Sequence, residues 1–436
     1  MKSRFEYIID WIVGIYLVLY FVGKLIRVYV DFSWAIPSGN VAFTPTTWFV
    51  SYAGGFVRRG LQGEVLYRLQ EWLGIEPQYF IVVVSISLFI FLGIFFIRQF
   101  VRNGYSWWLV PLTFFLGGFE IDRTDCLAVT LMVGAVMSYR HVDSGAIRWL
   151  LINFLGVCAI LVHELSFLLM VPMLGVLILR KDKSRLHQPF LWTLPMVVAF
   201  ACAVWCHGTV DVVAQIRDSW RQTLGGYWNN SSLAGISSLG WTADSVVHDW
   251  ANCFLKSRSL GVPDIMWFFV MICIVYVLAV NSISFIRLRQ PDAVKQQTIG
   301  SVVLFQLIMV SPMAIVFFDS SRFMSYWISS SFLWFLVVPE THIRRGMPNC
   351  ILWCSKMINT CVDGTLSCFN KKVSRYVLIA AMLCVGIPMV GMNLVQAGGR
   401  SIVGTYITFA LAPVLASQGL LVNAGEGRPY CEVFAR

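Results

Sequence analysis

A charged, glycine-rich segment at residues 51–64 stands out in a chain that is otherwise strongly apolar. It places two adjacent arginines, Arg58 and Arg59, between glycines and ends at Glu64. A guanidinium group presents a planar set of N–H donors that matches two oxygens of a phosphate or carboxylate, and glycine lets the backbone approach a ligand closely. These residue types and their spacing predict an anion-binding segment.

Further ionisable residues interrupt apolar segments at three other places. Histidine and carboxylate side chains can move protons, and arginine can stabilise growing negative charge. An ionisable group within a membrane span costs about 3 kcal/mol on insertion scales, so such groups usually serve a function. The three groups are Asp122, Arg123 and Asp125, then His163 and Glu164, then Asp319 and Arg322. The structural alternative is a local ion pair within a group, such as Asp319 with Arg322.

The composition indicates a membrane protein. Of the 436 residues 58% are hydrophobic and 13% are charged, and apolar runs long enough to cross a hydrocarbon core of roughly 30 Å recur along the chain. We predict an all-α, polytopic transmembrane helical bundle of about 11 spans that forms a single integral membrane domain over residues 1–436. The net charge of +10 then reflects basic cytoplasmic loops rather than nucleic-acid binding.

Basic residues set the predicted orientation, because cytoplasmic loops are enriched in lysine and arginine. We expect a cytoplasmic N-terminus and a cytoplasmic basic loop at residues 341–375. The long polar segment at residues 208–263 is expected outside, as a lid, a carbohydrate-facing surface or a helix lying on the membrane. Trp48, Phe49 and Tyr52 predict an interfacial or re-entrant segment. In this trace every ionisable group described above lies on the outer face.

Two apolar stretches are predicted to fold as short helical hairpins. Residues 149–179 are too many for one span and too few for two spans with a surface loop, and the run breaks once, at His163 and Glu164. Each arm would contain about 15 residues and measure about 23 Å. The stretch around residues 122–125 has arms of about 13 or 14 residues. Two short hairpins side by side would leave a depression in the outer leaflet with charged turns at its floor.

The spacing of motifs excludes several familiar sites. His163-Glu164 begins like a zinc-protease motif, but Phe167 occupies the position of the second histidine. Asp122 and Asp125 are not spaced as the Asp-x-Asp pair of metal-dependent glycosyltransferases. The chain has no Walker loop, no Rossmann glycine pattern and no G-x-S-x-G elbow, and its twelve cysteines form no paired C-x-x-C arms. We therefore expect no metal and no cofactor.

The remaining set of residues fits transfer from a lipid diphosphate. We expect Arg58 and Arg59 to hold the diphosphate, with Arg322 or Arg123 in support, and to stabilise its charge as the glycosidic bond breaks. A base would take the proton of the attacking sugar hydroxyl. The first candidate for this base is His163, which Glu164 would orient. The second candidate is Asp125. The other predicted substrate-binding residues are Glu64, Asp122 and Asp319.

The order of these motifs resembles that of a known family. Gly55-Phe-Val-Arg58-Arg59-Gly60-Leu-x-Gly63-Glu64 is followed by Arg123-x-Asp125, His163-Glu164 and Asp319-x-x-Arg322. In this order the chain resembles bacterial multispanning proteins of surface-polysaccharide assembly, the Wzy-type polymerases of O-antigen and capsule repeats. It lacks the pair of long arginine-rich external loops usually described for them.

The resemblance implies a Wzy-like or GT-C-like fold and a glycosyltransferase that polymerises undecaprenyl-diphosphate-linked oligosaccharide repeats. It also implies a bacterial inner membrane, an active site facing the periplasm, contact with membrane lipids, and a chain-length regulator and a flippase as partners.

Three alternatives stay open, one of which is a purely structural membrane partner. A flippase or transporter of lipid-linked glycan would spread its ionisable residues along a path through both leaflets. A polyprenyl-phosphate-sugar-dependent GT-C transferase would use an acidic pair, for which Asp122 and Asp125 are available.

Overall fold

The fold is described from a computed structural model. The structure describes residues 45–105, 121, 123–179, 187–224, 234–240, 257–259, 262–285, 293–314 and 320–367, together with isolated helical positions between Trp11 and Leu25. This part of the chain is almost entirely helical, with one two-stranded antiparallel ribbon.

The elements of the described part follow one another along the chain in this order. A 3₁₀ turn (Pro45–Phe49) precedes α1 (Leu61–Leu73), α2 (Pro77–Arg102), α3 (Asp125–His141), α4 (Gly145–Val162), α5 (Leu165–Leu179) and α6 (His187–Trp205). Next come α7 (Val210–Ser219), α8 (Arg221–Leu224), α9 (Ala234–Ser237), a 3₁₀ turn (Ser238–Gly240), β1 (Ser257–Ser259) and β2 (Val262–Pro263). The last elements are α10 (Asp264–Phe285), α11 (Ala293–Ala314), α12 (Ser320–Val337), α13 (Glu340–Gly346) and α14 (Asn349–Ser367).

Three helices of the described part are long and apolar enough to cross a membrane, namely Pro77–Arg102, Gly145–Val162 and Gln188–Trp205. The 26 residues of α2 extend over about 39 Å and the 18 residues of α4 over about 27 Å. Large apolar side chains on these helices are exposed, as expected for a surface that faces lipid. These helices indicate a membrane protein. The spans predicted at residues 107–119 and 376–394 lie outside the described residues.

The predicted break at His163 and Glu164 is confirmed, because α4 ends at Val162 and α5 begins at Leu165. The arms differ from the prediction. Helix α5 has 15 residues, but α4 has 18 because it begins at Gly145. Arg148 explains the earlier start, since its Nε and Nη2 donate to the carbonyls of Val142 and Asp143 at 2.6 and 2.9 Å. Helix α3 likewise has 17 residues, more than predicted.

Helices α11 and α12 pack closely through small and polar side chains. Trp327 Nε1 donates to the carbonyl of Val303 at 2.7 Å, and Gln306 Nε2 donates to the carbonyl of Leu169 at 2.9 Å. Buried serines on α12 donate to carbonyls of their own helix, which lets the neighbouring backbones approach. These contacts hold α12 against α11 and α5.

The prediction of an interfacial segment around Trp48 is wrong for Trp48 and Phe49, whereas the alternative of a re-entrant segment stays a prediction. Trp48 and Phe49 are 2% and 4% exposed, so they pack inside the protein rather than at a membrane surface. The reason is the segment at residues 208–263, whose helices cover them. Trp220 Nε1 donates to the carbonyl of Phe49 at 2.8 Å, and the amide of Gly235 donates to Thr46 Oγ1 at 3.0 Å.

The described part of the predicted basic loop at residues 341–375 is helical, as α13 and α14. Helix α14 packs on α11 through polar contacts. Gln297 Nε2 donates to the carbonyl of Leu352, and Ser355 Oγ donates to the carbonyl of Gln297, each at 3.2 Å. Charge alone predicted a loop here, whereas the packing of α14 against α11 stabilises a helix.

Candidate functional site

The arginine pair lies on a short connection, residues 50–60, which we call the arginine strap. Its two ends are held by close contacts. A Cβ atom on Gly63 would lie 2.0 Å from the Val50 carbonyl oxygen, so only glycine allows α1 to start here. The amide of Arg58 donates to the carbonyl of Cys206, at the end of α6, at 3.0 Å.

Arg59 has a left-handed backbone, with φ of 60°, and is the one non-glycine residue with positive φ in the described part. This conformation costs about 1–2 kcal/mol for a residue with a Cβ atom. Gln62 stabilises it, because its Nε2 donates to the carbonyls of Arg59 and Thr47 at 2.6 and 3.0 Å. The turn directs the Arg59 side chain to the break between α4 and α5.

At that break Arg59 forms a two-point ion pair with Glu164. Its Nε donates to Oε2 at 2.8 Å, and its Nη2 donates to Oε1. The side chains are 20% and 8% exposed, so the arginine is the more accessible partner. The residues are 105 positions apart in the sequence, and only the packing of the strap on the hairpin brings them together.

A second two-point ion pair joins the beginnings of α3 and α12. Arg322 Nε donates to Asp125 Oδ2 at 2.8 Å, and its Nη2 donates to Oδ1. The hydroxyl of Tyr326, one turn after Arg322, also donates to Oδ1 at 2.9 Å. Asp125 is fully buried, and three donors hold its carboxylate.

His163 lies between the two pairs and is 1% exposed. Its ring centroid is 5.1 Å from that of Tyr326, its Nδ1 is 3.9 Å from Glu164 Oε2, and the charges of Arg59 and Arg322 both act on it. Burial beside two guanidinium groups favours the neutral imidazole. Because the amide of Leu165 donates to Nδ1 at 3.3 Å, the neutral ring carries its proton on Nε2.

Two more arginines adjoin these pairs. Arg123 is 3% exposed and its charge acts on the Asp125 carboxylate. Arg58 acts on Glu164 in the same way, and burial, with the neighbouring Arg59, lowers the pKa of Arg58. We call Arg58, Arg59, Arg123, Asp125, His163, Glu164 and Arg322 the buried charge cluster. Its described members comprise four guanidinium groups and two carboxylates.

Of the predicted site residues, Glu64 forms its hydrogen bonds with residues outside the buried charge cluster. Its Oε2 accepts from the amide of Tyr52 at 3.1 Å and its Oε1 accepts from Arg68 Nε at 2.9 Å, so it ties the strap to α1. Asp122 and Asp319 lie outside the described residues. The roles predicted for all these residues stay predictions.

Tyr326 and Gln62 were missed by the sequence analysis. Tyr326 had a detectable signal, because residues four apart share a helix face and Tyr326 follows Arg322 by four. Gln62 had none, since its role depends on the conformation of Arg59.

An apolar groove of about 570 Å³ lies between α4 and α6. Its lining includes Val157 and Leu161 of α4, Val198 and Cys202 of α6, and Phe56 of the strap. The groove therefore ends at the segment that carries the arginines. No member of the buried charge cluster lines this groove or the second cavity described below, so the predicted depression stays a prediction.

In the described residues no group of three or more histidine, cysteine, aspartate or glutamate side chains is arranged to hold a metal ion. No family model, no curated protein and no solved structure matches the chain. The resemblance noted above therefore has no support from these comparisons.

Proposed function

We propose that this chain is a membrane glycosyltransferase that joins lipid-diphosphate-linked oligosaccharide repeats at the outer face of a bacterial inner membrane. The observation that carries this proposal is the pair of two-point arginine–carboxylate contacts on either side of His163. They gather a base, a hydrogen-bond donor and anion-binding groups from four separate parts of the chain. Such a set fits a reaction in which negative charge grows on a leaving diphosphate.

Two adjacent guanidinium groups support a diphosphate as ligand. Burial and the neighbouring Arg59 lower the pKa of Arg58, while Glu164 raises it, so a bound anion would further favour the charged form of Arg58. Arg59 is the more exposed partner of its ion pair, and its fork can contact phosphate oxygens as it contacts the carboxylate of Glu164.

The apolar groove supports a lipid as the carrier of that diphosphate. Phe56 lines the groove and stands two residues before Arg58, and Cys202 lines it one turn before Cys206, which binds the Arg58 amide. A diphosphate at the arginines would therefore place the first part of a hydrocarbon chain in the groove. Its volume of about 570 Å³ is in the range of small-molecule sites.

The proposed reaction is a displacement at the anomeric carbon of the donor sugar. The acceptor hydroxyl oxygen forms a bond to this carbon, the bond from the carbon to the diphosphate oxygen breaks, and the electron pair leaves with the polyprenyl diphosphate. Arg58 and Arg59 stabilise the leaving charge, and the Nε2–H group of His163 can donate a hydrogen bond to it. Glu164, released when Arg59 turns to the diphosphate, takes the proton of the acceptor hydroxyl.

This assignment changes the role first predicted for His163. A base at Nε2 would need the opposite tautomer from the one that the Leu165 amide favours. Glu164 binds Arg59 rather than orienting the imidazole, because Nδ1 accepts a hydrogen bond and has no proton to donate to the carboxylate.

The placement of charge favours transfer over transport. The members of the buried charge cluster gather at one end of α3, α4 and α12, not along a path. In the described part, Ser329 and Ser331 follow Arg322 on α12, and their hydroxyls donate to carbonyls of their own helix. This part of α12 packs against α11. This pattern fits close helix packing rather than a ligand pathway.

The test is glycan elongation by the reconstituted protein with undecaprenyl-diphosphate-linked oligosaccharide. We expect Arg59→Gln and Glu164→Gln each to lower the elongation rate by about 100-fold or more. The matched control is Arg221→Gln, because Arg221 is an exposed arginine 3.6 Å from Asp218 and away from the cluster. Elongation within about twofold of wild type in all three folded variants would remove the cluster from the mechanism.

A further inference from the structure

A second cavity, of about 400 Å³, lies at the other end of the helices that carry the buried charge cluster. Its lining is mainly polar and includes Arg102 of α2, Arg140 and His141 of α3, and Lys295 of α11. Asp125 begins α3 and His141 ends it, so the 17 residues of that helix separate the two places by about 25 Å. The cavity is therefore a different site.

Positive charge dominates this cavity. Arg102, Arg140 and Lys295 come from three different helices, whereas Glu340 is the one carboxylate among the described lining residues. That carboxylate is already engaged, because it accepts from Thr298 Oγ1 at 3.1 Å and lies 3.9 Å from Arg344 Nη1. Arg102 and Arg140 are exposed and Lys295 is half-buried, so their charged groups are accessible to an anion that enters the hollow.

The floor of the cavity is held in place by specific contacts. Asn103 Nδ2 donates to the carbonyls of Gln99 and Leu336 at 2.8 and 3.1 Å, which ties the end of α2 to the end of α12. The ring of Tyr105 packs near that of Phe335, with centroids 6.0 Å apart, and is 3% exposed. The hollow is thus preformed.

We propose that this cavity binds a phosphate group. Two guanidinium groups and an ammonium group match a compact anion with several oxygens and more than one negative charge. The volume leaves room for part of the molecule that carries the phosphate. The carrier is either a water-soluble phosphate or the headgroup of an anionic lipid, and bound phosphate would link the ends of α2, α3 and α11. This site does not depend on the proposed transferase activity.

The experiment uses the purified full chain in phosphatidylcholine nanodiscs. One arm titrates inorganic phosphate against chloride at equal ionic strength, and the other replaces part of the phosphatidylcholine with phosphatidic acid. The midpoint of thermal unfolding is the measurement. We expect one arm to raise the midpoint, and the arm that does so identifies the source of the phosphate.

The double variant Arg102→Gln/Arg140→Gln should raise the apparent dissociation constant for phosphate by about tenfold or more. Arg345→Gln/Lys356→Gln makes the same charge change on exposed residues outside the cavity and should leave it unchanged within about twofold. If the first double variant does not fold, Lys295→Gln alone provides the comparison. The proposal is overturned if neither arm raises the midpoint, or if both double variants lose the effect equally.

Discussion

Arg59 combines a strained backbone with a side chain that serves a buried carboxylate. Residues in sparsely populated conformations persist where their surroundings hold them, and they cluster at binding sites. Here Gln62 holds the Arg59 carbonyl and Glu164 holds its guanidinium group. In the proposed function a diphosphate would replace Glu164 as the partner of the guanidinium group, while Gln62 would continue to hold the backbone.

Asp125 and Arg322 should depend strongly on each other for stability. Each single change, Asp125→Asn or Arg322→Gln, leaves a buried charge without its partner, and we expect it to lower the free energy of unfolding by about 3–5 kcal/mol. The double variant should lose less than the sum of the two. Unfolding of the purified protein in detergent measures this coupling.

An exposed pair provides the control for that cycle. Arg221 and Asp218 are 70% and 64% exposed at 3.6 Å, and Arg221→Gln should leave the unfolding midpoint unchanged. Strictly additive losses in the Asp125 and Arg322 variants would contradict the coupling.

Tyr52 should make the protein less stable in alkaline solution. Burial, with the charges of Glu64 and Cys158, raises the pKa of Tyr52 to about 12, whereas an unfolded tyrosine titrates near 10. Its contribution to stability is present below about pH 10 and is lost as the pH rises toward about 12, because the unfolded chain releases the proton first. In the Tyr52→Phe variant, the free energy of unfolding should fall less steeply between about pH 10 and about pH 12.

The same variant should cost little at neutral pH. The hydroxyl of Tyr52 is buried and has no hydrogen-bond partner in the described part of the chain, so its removal deletes no bond. The measurement is unfolding from pH 7 to pH 12, compared with wild type. An unchanged alkaline slope would show that Tyr52 does not titrate as described.

At the scale of elements, the start of α1 decides where the arginine strap lies. Gly63→Ala would place a Cβ atom 2.0 Å from the Val50 carbonyl oxygen. We expect α1 to shift, the free energy of unfolding to fall by about 1–3 kcal/mol and the elongation rate to fall with it. Unfolding and elongation are measured on the same preparation.

Gly145→Ala is the matched control, because a Cβ atom at Gly145, the first residue of α4, has no neighbour within 4 Å. This change should leave both measurements near those of wild type. If Gly63→Ala behaves like Gly145→Ala, the close contact does not set the position of the strap.

At the scale of the whole molecule, the two ends of the bundle should face opposite sides of the membrane. Helices α7 and α8 pack near the arginine strap, whereas α14 packs on the beginning of α11, beside the second cavity. Cysteines introduced as Gln222→Cys and Lys356→Cys occupy exposed positions at these two ends.

In a background with the native cysteines replaced by alanine, an impermeant maleimide should label the first variant in intact cells and the second only in inverted vesicles. Labelling of both from one side would contradict the proposed orientation, including the outward-facing cluster. The cavity at the other end would then need to be assigned to the same compartment.

Local properties of the sequence determined the class of protein and several elements. Helices can be read from apolar runs because a backbone in hydrocarbon must satisfy its hydrogen bonds internally. The break at His163 and Glu164 was visible for the same reason, since two polar residues interrupt an apolar run of helical length. The arginine strap was visible from residue types alone.

The tertiary structure alone decided which of these residues meet. Local pairing was the sequence-based alternative for Arg322, yet it binds Asp125, 197 residues away, and Arg59 binds Glu164 across 105 residues. The burial of Phe49 beside Trp220, and the tautomer of His163 set by the Leu165 amide, likewise depend on packing and local backbone geometry. Hydrophobicity and charge are properties of single positions, whereas pairing depends on how helices pack, and that packing is set by contacts distributed over the whole chain.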